Sequence, residues 1–251
     1  MNSEILLPFL VVAAVAGYFQ TVTGYGLGMI LIGVTSGLDI VPVAATATIV
    51  GLLLLVNSAV ALPGRFGHIH WPLVTSTALG VVPATLVGIV LLEYLDSRLS
   101  RLLHVALGLL IIYGAFSLLR TPVQQDTPSG CSGFVVSGVV SGLCGGLFGI
   151  PGPPLIYQFY RQPLPLTAIR NMLTVIFSLT ATVRTLLVAL QGAIDTQILV
   201  LTASAVPVIA VTTWLGRHCP PPLSTRAMRW LTCAVLLGIG SELIGTQLLT
   251  L

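Results

Sequence analysis

Charged side chains are scarce in this sequence. Only 7% of its 251 residues are Asp, Glu, Lys or Arg, and no lysine occurs, so all 10 basic residues are arginines. Hydrophobic residues make up 55% of the chain, and the mean hydropathy is +1.04. So little polar surface cannot cover a water-soluble globule, and without a basic tract no nucleic acid is expected as a partner. We expect the chain to lie in a lipid bilayer.

Cysteine pairs and metal-ligand patterns are also missing. The four cysteines show no CxxC spacing, and the four histidines stand at the ends of predicted helices. We interpret the cysteines as small packing residues and the histidines as interfacial residues, and we expect no metal and no cofactor. The sequence shows no convergent set of catalytic groups, which argues against an enzyme. The residues concerned are Cys131, Cys144, Cys219, Cys233, His68, His70, His104 and His218.

Hydrophobic runs of about 18 to 25 residues recur along the chain, which is the length that a helix needs to cross a bilayer core about 30 Å thick. They predict an all-α polytopic membrane protein with about eight transmembrane helices. The first run follows Glu4 directly, without the basic region of a signal peptide, and we interpret it as a retained helix. The predicted spans are 5–36 and 134–160, both interrupted, and 42–62, 72–94, 99–119, 167–191, 196–217 and 226–249.

A polar stretch of loop composition divides the chain into two related halves. A shift of about 125 residues places Gly24 on Gly149 and Gly67 on Gly192. Weak internal symmetry of this kind is typical of secondary transporters, in which the substrate lies between the repeats. The predicted division is a first transmembrane repeat at 1–120, a polar linker at 121–133 and a second transmembrane repeat at 134–251.

The arginines near helix ends predict the orientation, because cytoplasmic loops retain positive charge. An outer N-terminus and four crossings per half place both termini outside and make the repeats parallel. The number of crossings changes if an interrupted span enters the membrane and returns. With four crossings, the inner loops carry Arg98, Arg101, Arg161, Arg170, Arg217, Arg226 and Arg229, and the outer loops carry Arg65 and Arg120.

Helix breakers cluster at corresponding places in the two halves. Gly24 and Gly26 interrupt the first run, and Gly149 and Gly152, with three nearby prolines, interrupt the fifth. Non-helical backbone at membrane depth is tolerated where protein or a wet cavity supplies hydrogen bonds, and half-helix N–H groups attract anions. The two breaks therefore predict a substrate site. The alternative is that these glycines only allow close helix packing.

The sixth span carries a polar stripe that includes Arg170, Asn171, Thr174 and Arg184. At 1.5 Å per residue the two arginines lie about 21 Å apart, so one small anion cannot touch both and their roles must differ. Arg170 either binds an anion or extends to the membrane interface. Arg184 either lines an anion pathway or pairs with a carboxylate or with backbone carbonyl groups.

Polar residues in two other spans are further candidates. In the second span, Thr46 and Asn57 share a helix face and either hydrogen-bond the substrate or bridge helices. In the last span, Glu242 is the best candidate for a carboxylate that couples transport to a proton, although it could instead pair with an arginine or lie near the outer surface.

The two halves, each opening with a glycine-rich broken segment, resemble the TauE/SafE family of sulfite and organosulfonate permeases, also called TSUP. Pro42, Ala44, Ala45 and Thr46 are similar to the family's segment after the first break. At the corresponding place in the second half, where many members have small residues, this chain has Ile169, Arg170 and Asn171. The resemblance implies a multi-pass carrier of the bacterial inner membrane for small anions such as sulfite, sulfoacetate or other sulfonates.

The sequence therefore predicts a secondary transporter that binds a small anionic substrate between its repeats. An inside-negative potential favours export, whereas uptake would require a coupled proton or other cation. An anion channel or a membrane thiol-redox carrier is the alternative, and the latter would need a pair of cysteines facing each other. The sequence is compatible with a homo-oligomer and does not identify the coupling ion.

Overall fold

The computed structural model describes residues 3–38, 41–64, 67, 69–98, 100–119, 124–219 and 225–249. These residues form helices without any strand, which confirms the all-α prediction. The helix ends lie within four residues of the predicted ones. The helices are α1 (Ser3–Thr23), α2 (Leu27–Gly37), α3 (Val43–Ala61), α4 (Trp71–Arg98), α5 (Ser100–Leu119), α6 (Cys131–Phe148), α7 (Gly152–Tyr160), α8 (Leu166–Leu190), α9 (Thr196–His218) and α10 (Thr225–Leu249).

Helix length and composition agree with a polytopic membrane protein. Among the described residues, 6 helices are long and apolar enough to cross a bilayer, namely α1, α3, α4, α6, α8 and α9. Shorter apolar stretches occur at Leu27–Gly37, Arg101–Ser117 and Trp230–Gly245, in α2, α5 and α10. The membrane-protein prediction is confirmed, while the count of eight spans stays a prediction.

The chain breaks its helices at both predicted places. Between α1 and α2, Gly24 has φ 87° and Gly26 has φ 117°, and between α6 and α7, Gly149 has φ 66°. Residues with a side chain avoid this left-handed region, so glycine is required at each of these turns. Pro151 precedes α7 and fixes the backbone where that helix begins.

Four long helices connect two opposite ends of the bundle. One end of the bundle contains a cavity lined by Pro42, Glu93, Gln191 and Asp195, and we call this end of the bundle end A. At the other end, end B, Arg217 at the end of α9 donates to the carbonyl oxygen of Val60 at the end of α3. Helices α3 and α9 therefore run from end A to end B, and α4 and α8 run from end B to end A.

The first interrupted element begins and ends at end A. Helix α1 runs parallel to α9 towards end B, because Gly17 packs against Ile209 and Thr21 packs against Gly216. Helix α2 then returns, since Gly33 packs between α10 and α5 and the chain reaches end A by Pro42. We call α1 and α2 together hairpin 1.

The second interrupted element begins and ends at end B. Helix α6 runs parallel to α4, and α7 turns back so that Gln158 reaches Gly133 near the start of α6. Directly after α7, the carbonyl oxygen of Arg161 accepts a 2.8 Å hydrogen bond from the N–H group of Gln125. We call α6 and α7 hairpin 2, and the two hairpins enter the bundle from opposite ends.

The expectation of parallel repeats is wrong, because corresponding helices run in opposite directions. Leu54 of α3 and Phe177 of α8 line one cavity, while Thr48 and Val188 of the same helices line the cavity at end A. These helices are therefore antiparallel. Helices α5 and α10 are antiparallel as well, with Gly108 against Ile244 and Gly240 against Ile112. The returning hairpins change the number of crossings in each half.

A glycine seam joins hairpin 2 to α4. A Cβ atom added at Gly88 would lie 2.9 Å from the Cα atom of Gly146, and one added at Gly142 would lie 3.0 Å from the Cα atom of Val81. Such short distances mean that the two backbones touch, as small residues permit in membrane proteins. Gly142 and Gly146 therefore allow close helix packing, whereas Gly24, Gly26 and Gly149 form the turns.

Candidate functional site

The tips of the two hairpins meet in the middle of the bundle. A Cβ atom added at Gly28 would lie 3.0 Å from the carbonyl oxygen of Gly149 and 3.4 Å from Cγ1 of Ile150. Phe177, close to the midpoint of α8, lines the space beside this contact. The contact between the two hairpins therefore lies near the middle of the bundle.

A narrow cavity separates the tips, with room for about one or two water molecules. The N–H groups of Gly28 and Met29 belong to the first turn of α2, so they have no acceptor within that helix. The start of α7 offers fewer donors, because Pro153 and Pro154 have no N–H group. The cavity is lined by Gln20, Tyr25, Gly26, Gly28, Met29, Leu54, Gly149, Ile150, Pro151, Gly152 and Phe177.

Gln20 holds the turn of hairpin 1 and was not among the predicted site residues. Its Oε1 atom accepts a 3.1 Å hydrogen bond from the N–H group of Leu27, and its Nε2 atom donates to the carbonyl oxygen of Gly24 at 3.4 Å. The sequence signal that could have identified Gln20 is an amide side chain one helical turn before the break at Gly24. Gln20 thereby supplies hydrogen bonds that the interrupted helix lacks.

Arg170 lies beside the tip of hairpin 1. Its Cγ atom is 3.1 Å from the position of a Cβ atom added at Gly24, so the glycine lets the arginine stem pass. The side chain is half-buried, and its Nε atom is buried without a hydrogen-bond partner in the described part of the chain. A buried donor without a partner is costly, so this guanidinium is available to an anion.

Arg184 lies beside the tip of hairpin 2. Its side chain is 2% exposed, and its Nη1 atom donates to the carbonyl oxygens of Gly146 and, at 3.5 Å, Gly145. These carbonyls belong to the last turn of α6, where the helix dipole is negative, and that of Gly145 also accepts a 2.9 Å hydrogen bond from the N–H group of Gly149. Pairing with backbone carbonyl groups, one of the two predicted alternatives, is therefore present. A role in anion binding stays a prediction.

The other predicted polar residues of the α8 stripe are engaged within the protein. Thr174 donates its hydroxyl hydrogen to the carbonyl oxygen of Arg170 at 2.8 Å, and Ser178 donates to that of Thr174 at 2.7 Å. Both hydroxyls can still accept a hydrogen bond but must rotate to donate one to an anion. Asn171 is buried and has an interaction partner.

Two predicted site residues lie away from the hairpin tips. Thr46 is fully buried, accepts a 3.4 Å hydrogen bond from the hydroxyl of Thr35 and donates to the carbonyl oxygen of Val41 at 3.4 Å, so it joins α3 to α2. Glu242 is exposed on α10 and has an interaction partner. The structure does not bring either residue to the cavity between the tips.

Asn57 bridges three helices. Its Nδ2 atom donates to the hydroxyl oxygen of Thr21 in α1 at 3.0 Å and to that of Thr213 in α9 at 2.7 Å. The side chain is buried, and both amide hydrogens are used. This arrangement is the helix bridge that the sequence left as an alternative to substrate binding.

Replacing Asn57 by alanine is therefore expected to lower the stability of the protein by about 0.5 to 2 kcal/mol, the range for hydrogen bonds between membrane helices. If the chain transports an anion, as the sequence predicts, the KM for that anion should stay unchanged. Thermal unfolding in detergent measures the stability, and flux into liposomes measures the KM. A double-mutant cycle with Thr213→Val isolates the bridge. A raised KM at unchanged stability would instead place Asn57 at the substrate.

Neither a metal centre nor a cysteine pair emerges from the described residues. No group of three or more His, Cys, Asp and Glu residues lies close enough to hold a metal there. All four cysteines are free, with Cys131 and Cys219 exposed, Cys144 half-buried and Cys233 buried. His68 lies outside the described residues.

The sequence matches the family described as sulfite exporter TauE/SafE over residues 9–243. It is also 49% identical over 247 residues to a protein of Cupriavidus necator named "Probable sulfite/organosulfonate exporter TauE", a match that covers 97% of this chain and 96% of that protein. No solved structure matches. The resemblance noted from the glycine-rich breaks is confirmed, and the chain belongs to the sulfite exporter TauE/SafE family.

Proposed function

We propose that the protein is a secondary transporter that exports small sulfur-containing anions, sulfite or organosulfonates, through the meeting point of the two hairpin tips. The main observation that supports this proposal is the contact of two interrupted helices, from opposite ends of the bundle, at Gly28 and Gly149. Arg170 lies beside one tip and Arg184 beside the other. The name of the Cupriavidus necator relative supports the choice of substrate.

Substrate binding would use donors that the fold leaves free. The first-turn N–H groups of α2 and the guanidinium of Arg170 both suit an oxyanion, because arginine can engage two oxygen atoms together. Gly26, Gly149 and Gly152 let the backbone approach the substrate. The 21 Å or so between Arg170 and Arg184 means that the anion meets the two guanidinium groups in turn.

Alternating access would follow from the hairpins. Because hairpin 1 enters from end A and hairpin 2 from end B, each tip blocks the route past the other. Separation of the Gly28 and Gly149 backbones would open the central cavity, and which hairpin moves would decide the end to which it opens. Secondary transporters commonly place discontinuous helices at such a midplane site.

Helix packing supports two repeats of opposite orientation. Helix α4 packs along α6, and their counterparts α9 and α1 pack along each other in the same parallel sense. Helices α5 and α10, also counterparts, pack against each other. Packing of each helix pair in one half like its counterpart in the other is what a division into repeats at 1–120 and 134–251 implies. The linker would be 121–133, of which residues 121–123 lie outside the described part.

The corrected helix directions also support an orientation. End B is the arginine-rich end, and end A contains the start of α1 and the end of α10, so end B would be cytoplasmic and the termini periplasmic in a bacterial inner membrane. An inside-negative potential then favours movement of an anion from end B to end A by about 2.3 kcal/mol per charge per 100 mV. Among the described residues, the helices and connections at end B carry Arg161, Arg170, Arg217, Arg226 and Arg229, against Arg98 and Arg101 at end A.

Purified protein in liposomes tests the proposal. We expect saturable efflux of sulfite and of sulfoacetate that a voltage negative on the end B side accelerates. Flux equal to that of empty liposomes would overturn the proposed transport, and flux that rises linearly with concentration would favour the channel. Proton coupling through Glu242 predicts efflux that depends on a pH gradient and loses this dependence in Glu242→Gln.

A further inference from the structure

A second cavity opens at end A, separate from the cavity between the tips. Its walls are mostly apolar, Arg184 contributes the buried charge, and Glu93 and Asp195 are exposed acidic residues. We call this cavity the vestibule. It is lined by Pro42, Ala44, Ala45, Thr48, Ile89, Leu92, Glu93, Arg184, Val188, Gln191, Ala193, Asp195 and Ile198.

Arg184 keeps an unpaired donor beside the vestibule. Its Nη1 atom binds the carbonyl oxygens at the end of α6, but its Nε atom is buried and has no hydrogen-bond partner among the described residues. Thr48 on the wall already donates its hydroxyl hydrogen to the carbonyl oxygen of Ala44 at 3.0 Å. A buried cation between apolar walls attracts an anion strongly because little water screens it.

The two acidic residues also have structural contacts. Glu93 Oε1 accepts a 2.6 Å hydrogen bond from Gln191 Nε2, which ties α4 to the end of α8. Asp195 caps α9 by accepting a 2.7 Å hydrogen bond from the N–H group of Ile198. An amide in place of either carboxylate keeps an acceptor oxygen for these bonds, so a charge effect can be separated from a structural one.

We propose that the vestibule is the exit route of the transported anion, with Arg184 as a second oxyanion subsite and Glu93 and Asp195 as a negative rim. This inference rests on the proposed function and specifies its direction. The rim repels anions that approach from end A, whereas end B presents arginines. The protein therefore binds its substrate more weakly from end A than from end B, which disfavours re-uptake.

A thiol-labelling experiment tests the rim without relying on transport. Ala193→Cys places a thiol in the vestibule, in a protein whose four native cysteines are replaced by serine. The probes are a sulfonate-bearing methanethiosulfonate and a neutral methanethiosulfonate of similar size. Adding Glu93→Gln and Asp195→Asn should raise the labelling rate of the anionic probe about two- to fivefold, leave the neutral probe unchanged, and lose the effect at high salt.

Asp126→Asn is the matched control, because Asp126 is an exposed acidic residue near end B. It should leave both labelling rates unchanged. Equal changes for the anionic and neutral probes, or no change for either, would overturn the negative rim. Sulfoacetate, which unlike sulfite does not react with the probes, should also slow labelling of Val188→Cys, deeper in the vestibule, and its failure to do so would overturn the subsite at Arg184.

Flux from each side completes the test and separates this inference from the proposed function. In oriented liposomes, Glu93→Gln with Asp195→Asn should lower the KM for sulfite entering from end A about two- to fivefold and leave the KM from end B unchanged. Absent transport with the predicted labelling would overturn the proposed function and support the vestibule as an anion site. Intact transport with equal KM changes at both ends would overturn the vestibule alone.

Discussion

Replacing Arg170 by alanine is expected to slow sulfite efflux about 10- to 100-fold, while the thermal stability of the protein changes little. The loss corresponds to about 1.5 to 3 kcal/mol, the contribution of hydrogen bonds to a charged group. The Nε atom of Arg170 has no partner in the described residues, so the substitution removes few interactions within the protein. Efflux from liposomes and thermal unfolding in detergent measure the two effects.

Two variants control for general effects of the Arg170 substitution. Arg170→Lys keeps the charge but loses the planar pair of donors, so it should recover only part of the efflux. Arg101→Ala removes an exposed arginine of α5 that lies apart from the hairpin tips, and it should transport normally. Normal efflux from Arg170→Ala, together with lower stability, would mean that Arg170 only supports the fold.

Gly149→Ala is expected to abolish most of the efflux and to lower stability by about 2 to 4 kcal/mol. The left-handed backbone of Gly149 accounts for about 1 to 2 kcal/mol of this loss. The remainder arises because a Cβ atom at this position would lie 3.1 Å from the carbonyl oxygen of Ala47, which pushes the tip of hairpin 2 away from α3. Thermal unfolding and efflux are again the measurements.

Gly192→Ala is a matched control for this substitution. Gly192 has φ 68°, against 66° for Gly149, but an added Cβ atom would meet nothing within 4 Å. Both variants therefore carry the same backbone strain, and only Gly149→Ala disturbs the tip. Gly192→Ala should lose about 1 to 2 kcal/mol of stability and keep its efflux. Equal effects on efflux in the two variants would show that the position of the tip does not matter.

The helix breaks were predictable because their cause is local. Gly24, Gly26 and Gly149 adopt backbone conformations that other residues avoid, and Pro151 cannot continue α6. The sequence therefore located both interruptions and nearly all helix ends. The same local signals identified the glycines and the arginines of α8 as candidates for the site.

The direction of the chain after each break was not predictable, because tertiary contacts determine it. Helix α1 is 21 residues long, enough to cross a bilayer, and its sequence does not reveal that α2 returns. The return depends on the contacts of Gly28 with the tip of hairpin 2 and of Gly33 with α10. Likewise, Arg184 binds backbone carbonyl groups, which carry no signal in the sequence.

The most direct test of the account is to link the two hairpin tips covalently. Met29→Cys and Gly152→Cys, in a protein without its native cysteines, place thiols on either side of the central cavity, since Met29 Cε lies 3.1 Å from an added Cβ atom at Gly152. A short bifunctional methanethiosulfonate should join them, stop sulfoacetate efflux until the cross-link is reduced, and react more slowly when sulfoacetate is present; sulfoacetate is used because sulfite itself cleaves disulfides. Unchanged efflux from fully cross-linked protein would contradict the claim that the anion passes between the hairpin tips.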